Sequence, residues 1–439
     1  MKVSRLFNRI YLILALLLVF VNLINKHYIA NLPLDYLLFA GIVALAVMYG
    51  ILQRKFEVPR AYLWLLGAFV VLMIFNSLIS PYAPPLLYSA LGGLITLLPF
   101  LFFIASYNFR MDRGEIRQFI RGILLIVCFY LVVLYVDTLF LHTARSAAAA
   151  DSGLSENALI SSNLIRFGDF SSLCNQALVL CLAEFYRTRK REYWYLIAAL
   201  AVTIILTNQL KAIAGMALVF SGWLLYLTRV PKWLKAGVVA VGVAALALVL
   251  SVSSLFTNKL DQYVENALNE SASEEIARPA LYYASAEIAL DHFPLGSGQG
   301  TFGSVPANMI DSPVYEEYEL NAIWGLSLDD EVNFRMDTHW ASVLGETGVL
   351  GLTLYLLLFF YPARRMRRLV RPDASREARA ARFMVRMGVI TLFVESLVLA
   401  LPKSFSFIAL YAGLAALILR RYRPQSPAAG PDDPAAHEA

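Results

Sequence analysis

The 439-residue chain is poor in cysteine, histidine and charge: it has three Cys and five His, and Asp, Glu, Lys and Arg together make up 16% of it. Three cysteines exclude a disulfide scaffold, and no Cys-x-x-Cys or Cys/His cluster suggests a structural zinc site or any other metal centre. An average soluble domain carries roughly 25% charged residues, so the shortage of charge excludes an ordinary water-facing surface. What is abundant is apolar: 59% of the residues are hydrophobic and 13% aromatic. The net charge of +5 is modest and points to no nucleic-acid partner. Composition alone makes this an integral membrane protein, with the lipid bilayer as its first partner.

A bilayer-crossing helix needs about 20 mostly apolar residues. The sequence supplies twelve such stretches, near 9–25, 34–53, 60–80, 85–106, 119–142, 170–186, 193–210, 212–228, 234–256, 340–362, 385–401 and 404–420. The first lacks a small-residue cleavage site and is read as an uncleaved helix. With the N-terminus placed in the cytoplasm, 29 of the 37 Lys and Arg residues fall in inside segments. That asymmetry is a strong positive-inside signal and orients all twelve spans, with both ends cytoplasmic. The expected fold is therefore all-α and polytopic. Its parts are a membrane domain of nine helices (1–256), an outer loop (257–338), a second membrane segment of three helices (339–423) and a Pro/Ala-rich disordered tail (424–439).

Two outer loops are long, 143–169 and 257–338, and a loop above about 15 residues is usually functional or disordered. The longer one holds fifteen Asp/Glu against Lys259, Arg278 and Arg335, a net charge of −12. Part of it reads as helical. Pro279 suits a first helical turn, where its missing N–H costs nothing. Leu281, Ala284, Ser285 and Ile288 then follow the i, i+3, i+4, i+7 rhythm of an amphipathic helix, which Pro294 ends. The next stretch, PLGSGQGTFGS (294–304), has neither the Gly-Lys-Ser/Thr nor the strand context of a nucleotide loop. Its glycines allow tight turns with positive φ or close backbone approach to a ligand.

The few outer-face cations are the sharper observation. Arg166 precedes the sixth span, Lys211 sits in the turn between the seventh and eighth, Arg278 opens the loop helix, and His339 begins the tenth span. A desolvated cation costs up to roughly 2.5–3.5 kcal/mol at mid-membrane, so four such groups on one face suggest a common anion. Phosphate fits, because Arg offers it bidentate contacts and Lys a point charge. Blander readings exist for each residue. Arg166 and Lys211 can snorkel to headgroups, Arg278 can pair with Glu274 or Glu275, and His339 can serve as a structural hydrogen-bonding residue. Glu346, within the tenth span, can pair with a cation or cap a buried network. Glu395, in the eleventh, is a functional candidate that pairing with Lys403 explains equally well.

The segment THWASVLGETGVLG (338–351), a His at a span start followed by Glu-x-Gly-x-x-Gly, resembles the signature of the O-antigen ligase/polymerase superfamily. Trp340 stands where that pattern usually has Asn. The stretch RPALYYASAEIALDHFPLGSGQGTF (278–302) looks like the family's Arg-helix-Pro-Leu-Gly-rich segment. Arg166 with Gly168 matches an Arg-x-Gly element, and Lys211 falls where many members carry Arg. The resemblance implies a membrane glycosyltransferase, metal-independent and without a cofactor, at the periplasmic face of the bacterial inner membrane. Its donor would be an undecaprenyl-diphosphate-linked glycan, and its acceptor another lipid-linked repeat unit (polymerase) or lipid A-core (ligase). Chain-length regulators and export machinery would be further partners. SPVYEEY (312–318) and the Asp-Thr-His-Trp variant look more like polymerases of exopolysaccharide or capsule pathways. On this reading Arg166, Lys211 and Arg278 hold the diphosphate, His339 with Arg278 acts on the reacting groups, and Glu346 orients His339 if the helix turns it inward. The rival class is a lipid-linked glycan transporter or flippase, for which interrupted helices and midplane charges would be expected.

Overall fold

The computed structural model describes residues 2–24, 33–141, 164–228, 277–330, 333–371 and 374–423, with 159, 160, 162, 231, 233 and 237 as isolated positions between them. The expected ninth span (234–256), most of the 143–169 loop, residues 257–276 and the expected tail (424–439) fall outside the described residues, isolated positions apart. Thirteen longer helices follow in order. They are α1 (Lys2–Leu23), α2 (Leu34–Leu52), α3 (Arg60–Ile79), α4 (Leu86–Tyr107), α5 (Arg113–Val136), α6 (Phe167–Thr188) and α7 (Glu192–Leu206), then α8 (Leu210–Leu227), α9 (Ala277–Asp291), α10 (His339–Phe359), α11 (Tyr361–Leu369), α12 (Arg376–Glu395) and α13 (Phe405–Tyr422). Among the described residues there is no strand, only an isolated bridge between Ile24 and Ile165. The protein is an all-α polytopic membrane protein.

Eight of these helices are long and apolar enough to cross a membrane: α1 to α5, α8, α10 and α13. α6, α7 and α12 are not among them, although they coincide with the expected sixth, seventh and eleventh spans. α7 has only 15 residues, and α12 carries five charged residues from Arg376 to Arg386 and Glu395 at its end. α6 is set apart by its position. α6 packs against α5, α7, α8 and α12, and nearly every residue from Phe170 to Ala183 is buried. A helix enclosed by protein does not face lipid, so it can carry Ser171, Ser172, Asn175, Gln176 and Glu184 on its buried surface. Lipid tails are as apolar as Leu, so helix association here rests on close packing and interhelical hydrogen bonds. Tyr11 to Ser106 (2.8 Å) and Gln176 to the Gly388 carbonyl (3.2 Å) are two of these bonds.

At the basic end, local chemistry sets the helix starts. Asp112 and Glu115 form a reciprocal capping box at α5, and Ser375 caps α12. Each satisfies backbone donors that a helix start leaves without partners. Glu57, between α2 and α3, gathers Lys55 (3.2 Å), Arg110 (2.9 Å), Arg423 (2.6 Å) and Arg420 around one carboxylate. Those cations hold it well below its ordinary value, the Arg420 hydrogen bond contributing most.

The opposite end carries the acidic loop, which has its own apolar core. On α9 the four residues marked by the helical rhythm, Leu281, Ala284, Ser285 and Ile288, are all buried. Leu281, Ala284 and Ile288 pack with Phe302, Tyr315, Leu326 and Ala341. Each large side chain buried there contributes roughly 1.5–3 kcal/mol. Arg335 is fully buried and staples this core. It donates to Leu326 O (2.5 Å), Asp311 Oδ1 (2.9 Å) and Asn321 Oδ1 (2.8 Å), with its guanidinium 4.0 Å from the Tyr315 ring centre. This cation of the acidic loop is therefore committed to structure.

The expected tenth span is not one straight rod. Gly348 has φ 66° and ψ −170°, a break between two helical halves, 339–347 and 349–359. Sixteen residues of straight helix would put His339 roughly 24 Å from Tyr355, yet their side chains are 3.0 Å apart. Likewise the Trp340 and Phe359 rings lie 5.4 Å apart. The two halves fold back on one another in a V whose apex rests against the outer end of α3, where Asn76 Nδ2 donates to Glu346 O at 2.6 Å.

Candidate active site

Three segments far apart in sequence bring Arg166, Lys211 and Arg278 to one place. Arg166 stands at the start of α6, 3.3 Å from Asp169 Oδ2 one turn on. Lys211, in the first turn of α8, donates to the Gly168 carbonyl at 3.2 Å. Asp169, Arg278, Asp337 and Glu395 all lie within its electrostatic reach. Arg278, on α9, donates through Nη2 to Asp337 Oδ2 at 2.7 Å. Three cations thus meet three carboxylates. The pairing explains why like charges tolerate each other at the edge of a low-dielectric bundle. Both guanidinium side chains remain 37% exposed, so donors are left for a ligand arriving from outside. Arg278 Nε is buried with no hydrogen-bond partner among the described residues.

One pairing left open by the sequence is replaced. Glu395 does not meet Lys403. Its Oε1 accepts from Asn175 Nδ2 at 2.6 Å, and its electrostatic partner is Lys211. Arg278 takes Asp337, and the alternatives Glu274 and Glu275 lie outside the described residues. Lys403, in the short turn before α13, donates to Gly303 O (3.3 Å) and Ser342 Oγ (3.1 Å). Burial pushes its ammonium below the ordinary lysine value, while Glu346 opposes that shift.

Glu346 serves the glycine-rich loop. Its Oε1 accepts the backbone N–H groups of Gly300 (2.9 Å) and Phe302 (3.2 Å). Its carbonyl accepts from Gly298 at 3.1 Å. Two of the loop's amides are thereby occupied by the protein's own carboxylate. Ser77 of α3 and Ser80 just after it bind the same loop at Gln299 N and Ser297 O. A Cβ on Gly92 of α4 would stand 2.9 Å from Gly300 N, so close approach of two backbones explains that glycine. The expectation that Glu346 orients His339 meets a different geometry: the carboxylate points to the loop, and the described hydrogen bond of the imidazole is to Tyr355.

His339 is fully buried. Its Nε2 lies 3.0 Å from Tyr355 Oη, while Nδ1 has no partner among the described residues. Trp340 packs edge-on against it at 4.8 Å and donates to Phe393 O at 3.4 Å, so the residue in the usual Asn position has become an aromatic wall. The two groups of charges adjoin. Asp337 of the first lies two residues before His339, and Ser404, next to Lys403, contacts Asp169 Oδ2 at 3.3 Å. Sequence reasoning missed Asp169, Asp337, Asn175 and Lys403 as members of this site. An i, i+3 spacing from Arg166 was a legible signal for Asp169. For the others no local pattern exists. Among the described residues no group of three His, Cys, Asp or Glu could hold a metal ion.

Residues 194–356 match the family model described as O-antigen ligase. The matched stretch contains Lys211, Arg278, His339 and Glu346 and begins after Arg166. It supports the O-antigen ligase/polymerase superfamily that the motifs resemble, and with it an enzyme of that general type in a multi-pass membrane protein. No curated protein matches the chain.

Proposed function

We propose that this chain of the O-antigen ligase/polymerase type is a lipid-linked oligosaccharide glycosyltransferase. It extends an undecaprenyl-diphosphate-linked glycan at the periplasmic face of the inner membrane by joining repeat units. The observation that carries the reading is the convergence of Arg166, Lys211 and Arg278 beside the helix that begins with His339. In the proposed reaction an acceptor hydroxyl attacks the anomeric carbon. The bond to the diphosphate breaks, and its electron pair leaves with the diphosphate. Fixed cations facing that developing charge supply the electrostatic stabilisation that usually dominates such steps. An arriving diphosphate would take Arg166 from Asp169 and Arg278 from Asp337, exchanging one anion for another on guanidiniums already held in place. The acceptor's proton goes to His339, whose Nδ1 is the ring atom without a partner. Glu346 contributes by holding the glycine-rich loop.

The test is transfer in membrane vesicles carrying the full-length chain, supplied with a lipid-linked repeat-unit donor. Elongated lipid-linked chains support polymerisation. Transfer to lipid A-core instead would make the chain a ligase, the alternative within the same superfamily. The interruption of α10 at Gly348 favours a transporter. It predicts that the lipid-linked donor crosses the vesicle membrane with its chain length unchanged, which the same assay reads.

A further inference from the structure

At the basic end, far from the site above, α12 carries Arg379, Arg382 and Arg386 at i, i+3 and i+7, a spacing that places them on one face. With Phe383, and with Leu225 and Tyr226 from the end of α8, they line a cavity of about 220 Å³. Arg386 donates to Tyr226 Oη at 3.1 Å and stacks over its ring at 4.4 Å. Arg382 donates to Val370 O at 2.9 Å. Arg379 lies 5.4 Å from the Tyr186 ring centre, and its Nε is buried without a hydrogen-bond partner. All these contacts are with neutral groups. Among the described residues none of the three arginines has a carboxylate partner. Among the described acids at this end, Glu184 is committed to Arg187 and Glu377 to Arg113 and Arg117.

Three half-buried guanidiniums around one cavity repel one another, and nothing described in the protein neutralises them. Topology does not require them in this place, because Arg364, Arg365, Arg367 and Arg368 already supply exposed positive charge on α11. Along α12, Arg382 and Arg386 lie roughly 20 and 14 Å from Glu395, toward the basic end of the helix. The walls are mixed in the way an amphiphile needs: guanidinium donors beside Leu225 and Phe383. We propose that the cavity binds the phosphate of an acidic phospholipid from the leaflet at the basic end, its diester held by Arg382 and Arg386 and its acyl chains against Leu225 and Phe383. Arginine suits this because its fork binds two phosphate oxygens at once.

The experiment uses the full-length protein in detergent, titrated with phosphatidylglycerol, phosphatidylcholine or inorganic phosphate, with bound lipid counted by native mass spectrometry and thermal stability followed in parallel. Phosphatidylglycerol is expected to bind and to raise the melting temperature, whereas phosphatidylcholine and phosphate are not. Replacing both Arg382 and Arg386 with Ala should weaken phosphatidylglycerol binding roughly thirtyfold, as for two arginines near an anionic headgroup. The Arg364→Ala/Arg365→Ala pair, which removes equal charge from α11, should leave binding unchanged. Equal losses in the two pairs would overturn the proposal in favour of diffuse surface charge. Equal stabilisation by inorganic phosphate would overturn it in favour of a soluble anion. Should the alanine pair fail to fold, Arg382→Lys/Arg386→Lys keeps the charge but not the fork, and binding as tight as in the unaltered protein would again refute the assignment.

Discussion

Replacing Gly348 with Ala tests the architecture of the site with a single methyl group. At φ 66° and ψ −170° the backbone lies in a region essentially reserved for glycine, where another residue costs of order 1–3 kcal/mol. The new Cβ would also run into the backbone of Leu295, including its carbonyl. Relief by moving the loop would disturb the Leu350 N–H bond to Pro294 O (3.3 Å) and the Ser297 N–H bond to Gly345 O (2.8 Å), each worth about 0.5–1.5 kcal/mol. The combined penalty is roughly 2–6 kcal/mol. Alanine also favours helix over glycine by about 1 kcal/mol, so the alternative conformation, a straightened α10, is stabilised while the V is strained. Straightening would carry His339 about 24 Å from Tyr355. The expected result is loss of glycan transfer with the chain still inserted, together with a lowered melting temperature in detergent. Gly67→Ala is the control, since nothing stands within 4 Å of its added Cβ on α3. A Gly348→Ala protein that melts and transfers like the Gly67→Ala control would refute the requirement for a broken helix.

Further outcomes follow from the charges. Arg278→Ala and Arg166→Ala should each lower transfer by about 10²–10³-fold, as expected for removing a donor to a developing anion, with protein abundance on immunoblots unchanged. Lys211→Arg should keep substantial activity and Lys211→Ala should not, and equal losses would argue for a role beyond charge. Glu346→Ala leaves two buried N–H groups and Lys403 without their carboxylate, a loss of about 3–5 kcal/mol, whereas Glu346→Gln, which still accepts those bonds, should lose less. Both are read from thermal denaturation. Glu57→Gln should destabilise the basic end only where the carboxyl is charged. Its folded value lies below the ordinary 4.5, with the Arg420 hydrogen bond the main cause, so the stabilisation is present above that pH and is lost as pH falls below it. Melting curves of the variant and the unaltered protein should therefore converge on acidification.

Much of the fold was readable along the chain because lipid imposes a simple rule. An apolar stretch of span length next to basic residues has few alternatives, and α1 to α8 with α10, α12 and α13 follow the expected order, while the short arginine-rich α11 was not among the expected spans. The amphipathic α9 was legible for a similar reason: one buried face has a helical period, and Leu281, Ala284, Ser285 and Ile288 all lie on it. The cations of the site were legible one by one, because Lys or Arg is rare on the outer face. Their partners were not. Asp337 is 59 residues from Arg278, and Glu395 is 220 residues from Asn175; no periodicity links such positions. The sequence also left Glu395 beside Lys403 as neighbours along the chain, and packing sent the two to different partners.

By itself the sequence determined that the chain crosses the bilayer many times, which residues face the basic end, and which cations stand out on the acidic one. These are properties of hydrophobicity and charge, summed locally. Only the tertiary structure decided that α10 breaks at Gly348, that the glycine-rich loop spends its amides on Glu346, and that three distant cations meet three distant carboxylates. Each depends on what lies across the bundle. A glycine can adopt many conformations, and a carboxylate can take any cation within reach. The choice among them is made by the groups that packing places alongside.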